Sequence, residues 1–231
     1  MPAIAAFLRP TLIKLVFLVE WASFLVFTLA RGHLKTGHQV LVAAWPFVFF
    51  YLVGCALAAL SQRLRQVAGG WRLPALGLVL AGLDQAIKAL VTAFVPRGTS
   101  LPIFDHWLRL AHVVNTHGSW LASEFDLHLP GSVDLAQWGL VVLGLLLSVL
   151  GHRYYVTVHR RSLWIDVAFL GLFSASASWM CDTALRGRIV DFVGLPGLVT
   201  ADLKDIYGTL GVAALLAETL DHPRLWWRWR R

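Results

Sequence analysis

The sequence predicts an all-α polytopic membrane protein with about six transmembrane helices and a small β-structured loop on the outer side. Two observations lead to this fold class. Hydrophobic residues make up 58% of the 231 residues and charged residues only 14%, with a mean hydropathy of +0.66. The apolar residues are also gathered into runs of about 20, the length that crosses about 30 Å of hydrocarbon at about 1.5 Å per residue.

The six apolar runs differ in how strongly they predict a membrane span, and the last one is the weakest. The first five are long and largely uncharged, whereas the sixth has a short uncharged core over residues 206–217. The predicted spans are residues 11–30, 39–60, 73–95, 133–151, 163–181 and about 202–220. The first run is too long for the apolar part of a cleaved signal peptide, so we expect it to remain as a membrane helix.

The net charge of +7 comes largely from arginines in short patches between the apolar runs. With the N-terminus inside, Lys and Arg are more frequent in the inner segments, and most acidic residues fall in the outer ones. This distribution predicts that both termini are cytoplasmic. The basic residues do not line one amphipathic face, so the charge does not indicate a nucleic-acid partner.

Residues 96–132 form the only long stretch that is not predicted to span. Apolar and polar residues alternate loosely there, with several β-branched and aromatic side chains, which predicts a small β-structured element on the outer membrane surface. The tail, residues 223–231, mixes tryptophan with arginine and suits the lipid headgroup layer. We therefore expect membrane lipids to contact this tail.

Two aspartates are placed where chemistry is expected. Asp182 ends the fifth span and Asp202 begins the sixth, so an antiparallel helix pair brings both carboxylates to one depth near the outer face. Two carboxylates in a poorly hydrated place do not both ionise easily, and one keeps a proton. This acid and base pair predicts water-driven peptide hydrolysis, with neither residue assigned to either role and with no metal or organic cofactor.

Asp84 and Lys88 lie four residues apart in the third span, on one helix face. One interpretation is a structural ion pair that holds this helix to its neighbours, and the other is a border of the substrate groove. The two interpretations are compatible.

Other catalytic classes have little support in the sequence. No serine-hydrolase elbow, metalloprotease helix motif or phosphate-binding glycine loop is present. The histidines of the outer loop lie in a segment that looks extended, where ordinary hydrogen bonding is favoured over a metal site. Cys55 and Cys181 follow no metal-ligand spacing, and we assign them no disulfide.

Four short motifs then resemble a known family. They are D-Q-x-x-K at Asp84, Gln85 and Lys88; an Asn and a Gly in the outer loop at Asn115 and Gly118; D-x4-G-x-I-V-D-F from Asp182 to Phe192; and A-D-x5-G from Ala201 to Gly208. In this order they resemble lipoprotein signal peptidase, signal peptidase II. The resemblance covers residues 73–220, four spans and the outer loop.

The resemblance implies an intramembrane aspartyl endopeptidase of the bacterial inner membrane. Its substrate would be a prolipoprotein cut before a cysteine that already carries diacylglycerol. Asp182 and Asp202 match the catalytic pair, and the other matching positions would shape and hold the site; these are Asp84, Gln85, Lys88, Asn115, Gly118 and Asp191. The chain would then divide into a two-helix extension (1–72), the four-helix core (73–222) with its outer loop (96–132), and the tail (223–231).

Several positions depart from the family pattern. Ser178 and Trp179 stand where Gly-Asn is expected, Thr183 replaces an Arg, and Leu198 and Val199 replace Phe-Asn. We expect Trp179, Thr183 and Val199 to line the cavity beside the two aspartates. Three functions follow: a peptidase on lipoprotein precursors, a diverged paralogue acting on another lipidated or membrane-anchored substrate, and a non-catalytic membrane binding protein.

Overall fold

The computed structural model describes residues 2–104, 107–115 and 132–222. Helices and one small sheet make up this part of the chain. The helices are α1 (Pro2–Leu8), α2 (Leu12–Ala30, with a 3-10 turn at Val16–Leu18), α3 (Gly37–Ser61), α4 (Arg72–Phe94), α5 (Ser132–Val158), α6 (Leu163–Cys181) and α7 (Leu203–Asp221). The predicted tail, residues 223–231, lies outside the described residues.

Five of these helices, α2 to α6, are long and apolar enough to cross a membrane. They confirm the first five predicted spans. The sixth segment also forms a helix, α7, of 19 residues, although its charged residues leave it outside that apolar class. That α7 crosses the membrane stays a prediction.

Polar side chains fix where three of the helices begin. Thr36 is the residue before α3, and its side chain accepts a hydrogen bond from the backbone N–H of Gln39. Ser162, before α6, accepts one from the backbone N–H of Ile165 in the same way. Asp202 caps α7 in the same way, and the side chain of Asp205 accepts the Asp202 N–H in return. Each cap satisfies backbone donors that the first helical turn leaves unpaired.

A four-stranded antiparallel sheet lies at one end of the helices, in the order β1-β2-β3-β4. Strands β1 (Ser100–Phe104) and β2 (Leu108–Asn115) confirm the β structure predicted for the outer loop. Strands β3 (Ile189–Leu195) and β4 (Val199–Ala201) were not predicted, because β3 reads as part of a connecting segment. β3 pairs with β2 and packs Val190 and Phe192 against Val91 of α4.

Helices α6 and α7 approach each other closely at two glycines. A Cβ atom added to Gly171 would lie 2.7 Å from the Cα of Gly211, and one added to Gly211 would lie 2.9 Å from the Leu172 nitrogen. No side chain fits between the two backbones at these positions. The crossing fixes Asp202, at the start of α7, relative to α6.

Helices α2 and α3 pack against this α6–α7 pair. Phe17 of α2 and Phe50 of α3 share a buried cluster with Trp164 of α6 and Ala214 of α7. The first two spans are therefore part of the same packed body as the segment that carries the motifs.

Candidate active site

The buried ammonium group of Lys88 lies between three carboxylates. Its Nζ is 2.7 Å from Asp84 Oδ2, 2.5 Å from Asp182 Oδ2 and 2.6 Å from Asp202 Oδ2, and none of the four side chains is exposed. The i, i+4 spacing on α4 brings Asp84 and Lys88 together, as predicted. Lys88 also joins α4 to the ends of α6 and α7, because Asp182 follows α6 and Asp202 precedes α7.

The carboxylate of Asp182 is enclosed by donors from two elements. Gln85 Nε2 donates to Asp182 Oδ1 at 2.9 Å, and Arg186 Nη1 lies 3.4 Å from the same oxygen. A π-helical turn over Asp182–Arg186 places Arg186 on the same side as Asp182, and its guanidinium also donates to Gln85 Oε1. Asp182 is thus a fully paired, fully buried group.

Asp202 is equally buried but lies at the junction of β4 and α7. Its Oδ1 accepts the Asp205 N–H at 3.2 Å, and its Oδ2 contacts the ammonium groups of both Lys88 and Lys204. Two positive charges beside one carboxylate stabilise its ionised form. The Leu203 N–H donates to Asp84 Oδ1 at 3.1 Å, which ties the start of α7 to α4.

Asp191 lies in the middle of β3, where Val113 of β2 is its register partner. Its side chain is 4% exposed, and Asn115 Nδ2 donates to its Oδ2 at 3.2 Å. Carboxylate oxygens of Asp191, Asp202 and Asp205 lie within 4.8 Å of one another. Burial raises the pKa of Asp191 to about 7; the charges of Asp202 and Asp205 add to this rise, and the Lys204 ammonium opposes it.

A cavity of about 780 Å³ opens beside Asp191. Its walls are mainly apolar and come from α2, α3, α5, α6, α7 and the sheet, and several polar side chains are among them. These polar side chains are Glu20, Asn115, Ser176, Asp191, Thr200, Lys204, Asp205 and Thr209. Asp182 and Asp202 do not line the cavity; Lys204, which does, connects it to Asp202.

The structure brings most of the predicted site residues together. Asp182 and Asp202 meet at Lys88 as expected from the helix pair. Asn115, Trp179 and Val199 line the cavity, but Thr183 does not, because its hydroxyl donates back to the Trp179 carbonyl at 3.0 Å. The predicted position of Thr183 in the cavity wall is therefore wrong. Gly118 lies outside the described residues.

Sequence reasoning missed three charged groups of the site. Lys204 and Asp205 come two and three residues after Asp202, and their position in the first helical turn after the cap was a signal that both would lie close to it. Arg186 follows Asp182 by four residues, the spacing of neighbours on one helix face. It supplies a guanidinium to Asp182 although Thr183 replaces the expected arginine.

In the part of the chain that the structure describes, two carboxylate clusters have oxygens close enough together to hold a cation. The first contains Asp84, Asp182 and Asp202, and the second contains Asp191, Asp202 and Asp205. Lys88 contacts all three members of the first, and Lys204 contacts Asp202 and Asp205 of the second. Because a lysine ammonium group already contacts the carboxylates of each cluster, a metal-free site stays our prediction.

Comparisons with known proteins agree with the motifs. The family model described as signal peptidase (SPase) II matches residues 75–221. A lipoprotein signal peptidase of Bartonella henselae is 28% identical over 152 residues, covering 63% of this chain and 86% of the relative. That of Fusobacterium nucleatum subsp. nucleatum is 22% identical over 151 residues, covering 64% of this chain and 85% of the relative.

Solved structures give the same fold. A bacterial membrane enzyme determined by the in meso method at 2.3 Å resolution superimposes with a TM-score of 0.57 at 17% identity, over 69% of this chain and 94% of that one. A second, at 1.9 Å resolution, gives a TM-score of 0.53 at 17% identity, over 68% and 97%. Both coverages leave about a third of this chain outside the shared fold.

Proposed function

The chain belongs to the signal peptidase II family and is a hydrolase that cleaves lipoprotein signal peptides in the inner membrane, and we propose that Asp191 and Asp202 carry out this cleavage. The observation that carries the proposal is the position of Asp191. Its carboxylate lines the cavity and lies within 4.8 Å of an Asp202 oxygen. Asp205 shares both features, but its side chain is 52% exposed and accepts the Asp202 N–H as a helix cap, whereas Asp191 is buried. Asp182, the other candidate partner of Asp202, is enclosed by Lys88, Gln85 and Arg186.

The environments of the two carboxylates give them different roles. Burial raises the pKa of Asp191 to about 7, so its protonated and ionised forms are both populated near neutral pH. Asp202 contacts two ammonium groups and stays ionised. An acid and a base side by side is the arrangement that peptide hydrolysis by aspartates requires.

The reaction then proceeds in two steps. Asp202 removes a proton from a water molecule, and the resulting hydroxide attacks the scissile carbonyl carbon while the protonated Asp191 donates a hydrogen bond to the carbonyl oxygen. The C–N bond of the tetrahedral intermediate breaks, and the proton held by Asp202 passes to the leaving amine. Because the carboxylates interact strongly, their titration belongs to the pair.

Asp84, Lys88 and Asp182 support this pair instead of reacting. Lys88 holds Asp202 in place through its Oδ2, and Asp84 fixes the first N–H of α7. The side-chain amide of Asn115 donates a hydrogen bond to Asp191 Oδ2 and so orients the Asp191 carboxylate. Catalytic groups that are held by such partners keep the geometry that the reaction needs.

The lipidated precursor enters from the membrane with its site of cleavage toward the outer face. The positive-inside charge pattern supports this orientation, because it leaves the sheet on the outer side. The match from residue 75 onward supports a division into an extension (1–72) and a catalytic core (73–222) with the outer loop 96–132. Trp179 and Val199, which line the cavity without amide groups, would favour apolar substrate segments.

The test is cleavage of a diacylglyceryl-modified precursor by purified protein carrying single Asp→Asn changes. We expect Asp191→Asn and Asp202→Asn to reduce the rate by at least about a hundredfold, since each removes one of the two proton-transfer groups. Asp221→Asn is the matched control, because Asp221 ends α7 at an exposed position and does not line the cavity. It should retain most of the activity.

The result for Asp182→Asn separates the two possible pairs. Our proposal expects residual turnover with a lower thermal stability, because Asp182 is a buried partner of Lys88. Full activity of Asp191→Asn, with loss only in Asp182→Asn and Asp202→Asn, would overturn it in favour of the pair first predicted. Cleavage of a different lipidated protein only, or binding of the precursor without cleavage by the wild type, would favour the other two functions.

A further inference from the structure

Strand β4 is the last strand of the sheet, and its outer side has no strand partner among the described residues. An edge strand presents backbone N–H and C=O groups without partners on that side. Such groups are costly where water is scarce, so they need hydrogen-bond partners from solvent or from a ligand. The free edge of β4 is therefore a place where a further chain can add to the sheet.

This free edge borders the cavity. Side chains of a strand alternate between the two faces of a sheet, so a strand that meets a cavity only with its face contributes every second residue. Strand β3 does so with Asp191, Val193 and Leu195. Strand β4 contributes all of Val199–Ala201, and each of these residues is partly exposed. Because β4 contributes consecutive residues, its edge as well as its face meets the cavity.

The register of the β3–β4 pair shows which residue directs its backbone to the free edge. Leu195 and Val199 are the last pair before the turn, and they are so close in sequence that only their own N–H and C=O groups can join them. Hydrogen-bonded and non-hydrogen-bonded pairs alternate along an antiparallel ladder. The next hydrogen-bonded pair is therefore Val193 with Ala201. Thr200 lies between, so its N–H and C=O point away from β3.

Thr200 is also close to the reacting groups along the chain. Asp202 follows it by two residues, which is about 7 Å in an extended strand. Asp191, on β3, has a carboxylate oxygen within 4.8 Å of one of Asp202. A chain that pairs with Thr200 therefore continues toward both carboxylates after about two residues.

The groups at the free edge determine what binds there. Pairing with both the N–H and the C=O of one residue requires an acceptor and a donor from the added chain. An acyl chain has neither, and an ester carbonyl only accepts. An extended peptide backbone supplies both, whatever its side chains are. The cavity and the two carboxylates beside it make the peptide substrate the occupant that fits this edge.

We infer that the precursor binds through its cleavage segment as a fifth strand beside β4, paired to the N–H and C=O of Thr200, with the scissile bond about two residues further along at Asp191 and Asp202. This rests on the proposed function, because it uses the same substrate and the same two carboxylates. A helical segment keeps its carbonyl groups in intrahelical hydrogen bonds, whereas a paired strand holds the scissile bond extended and open to attack. The edge of β4 thereby positions the peptide for cleavage.

The test measures binding, so that it does not depend on turnover. The probes are fluorescent, diacylglyceryl-modified precursor peptides with a reduced, uncleavable scissile bond, and in each one a single backbone amide is replaced by an ester, which lacks the N–H. We expect one ester, about two residues from the scissile bond, to weaken binding to the full-length protein about twofold to tenfold, the range for one neutral hydrogen bond. Esters at the two adjacent positions should have little effect, because alternate residues direct their N–H groups to opposite sides. Unchanged binding of every ester probe, or similar weakening at consecutive positions, would overturn the inference.

Thr200→Pro removes the matching donor from the protein. Proline is tolerated on an edge strand where its missing N–H points away from the sheet, so β4 should still form. Thr200→Ala is the matched variant, because it also loses the hydroxyl but keeps the N–H. We expect Thr200→Pro to bind the all-amide probe at least about twofold more weakly than Thr200→Ala, and equal affinities would overturn the inference. If Thr200→Pro does not fold, the ester series on the wild type still decides.

The same experiments separate this inference from the proposed reaction. Full cleavage activity of Asp191→Asn, together with the alternating ester effect, would refute the proposed carboxylate pair but not the strand pairing. Loss of cleavage in Asp191→Asn and Asp202→Asn, with no ester effect at any position, would refute the strand pairing alone.

Discussion

Lys88 is the one residue that contacts all three of the buried carboxylates Asp84, Asp182 and Asp202. Burying an ionised carboxylate is costly unless a partner of opposite charge and further hydrogen bonds compensate. Lys88 compensates three of them at once, with distances of 2.5–2.7 Å to Asp84, Asp182 and Asp202. Its i, i+4 relation to Asp84 was visible in the sequence, but its contacts with the other two aspartates depend on tertiary packing.

Lys88→Met should therefore destabilise the fold strongly. The change keeps the volume of the side chain and removes its charge, which leaves buried carboxylates without their common partner, at a cost of about 3–5 kcal/mol. Thermal or denaturant unfolding in detergent measures this. Lys35→Met, at an exposed position, is the control and should change the unfolding free energy by less than about 0.5 kcal/mol.

Asp191 shows why the sequence did not reveal which carboxylates face the cavity. Asp182 and Asp202 stand out because they flank apolar spans, whereas Asp191 follows two β-branched residues in a connecting segment. Its position beside Asp202 follows from the pairing of β3 with β2 and β4. Strand pairing between distant segments is set by tertiary structure, and no local pattern indicated it.

Among the elements, the helices were predictable because their signal is local. Apolar run length gave five spans, and the side chains that begin α3, α6 and α7 follow ordinary capping chemistry. The alternation in the outer loop predicted β1 and β2. Strand β3 was missed because its partner β2 is far away in the chain, and β4 was missed because it has only three residues.

The crossing of α6 and α7 gives a prediction at the element scale. A methyl group at Gly171 would meet the backbone of α7 at Gly211, at 2.7 Å from its Cα, so Gly171→Ala must push the helices apart. We expect a loss of about 1–3 kcal/mol in stability, with reduced cleavage because Asp202 moves with α7. Unfolding and cleavage assays measure the two effects.

Gly82→Ala is the matched control for this change. Gly82 lies inside α4, and a Cβ atom there would meet nothing within 4 Å. Alanine also favours the helix more than glycine does, by roughly 0.5–1 kcal/mol. Equal destabilisation by Gly82→Ala and Gly171→Ala would show that the close approach of α6 and α7 is not the cause.

For the whole molecule, the charge pattern and the position of the sheet give one orientation. The first turn of α3 contacts the turn between β3 and β4 through Gln39 and Gly197, whereas the link between α3 and α4 is at the opposite end of α3. The positive-inside pattern puts that link in the cytoplasm. The active site would then face the outer side, where lipoprotein precursors are exposed.

Single cysteines introduced on a background without Cys55 and Cys181 test this orientation. In intact cells a membrane-impermeant thiol reagent should label Lys35→Cys, before α3, and should leave Gln66→Cys, between α3 and α4, unlabelled until the cells are opened. Labelling of Gln66→Cys in intact cells would reverse the topology and place the sheet in the cytoplasm.

The most direct measurement of the central claim is an infrared titration of the purified protein, which detects the C=O stretch of protonated carboxyl groups. We predict a protonated-carboxyl band that is lost as the pH rises through about 7, because the pKa of Asp191 is raised to that value by its burial. The band should be absent in Asp191→Asn and retained in Asp182→Asn. A band that disappears in Asp182→Asn and persists in Asp191→Asn would contradict the account.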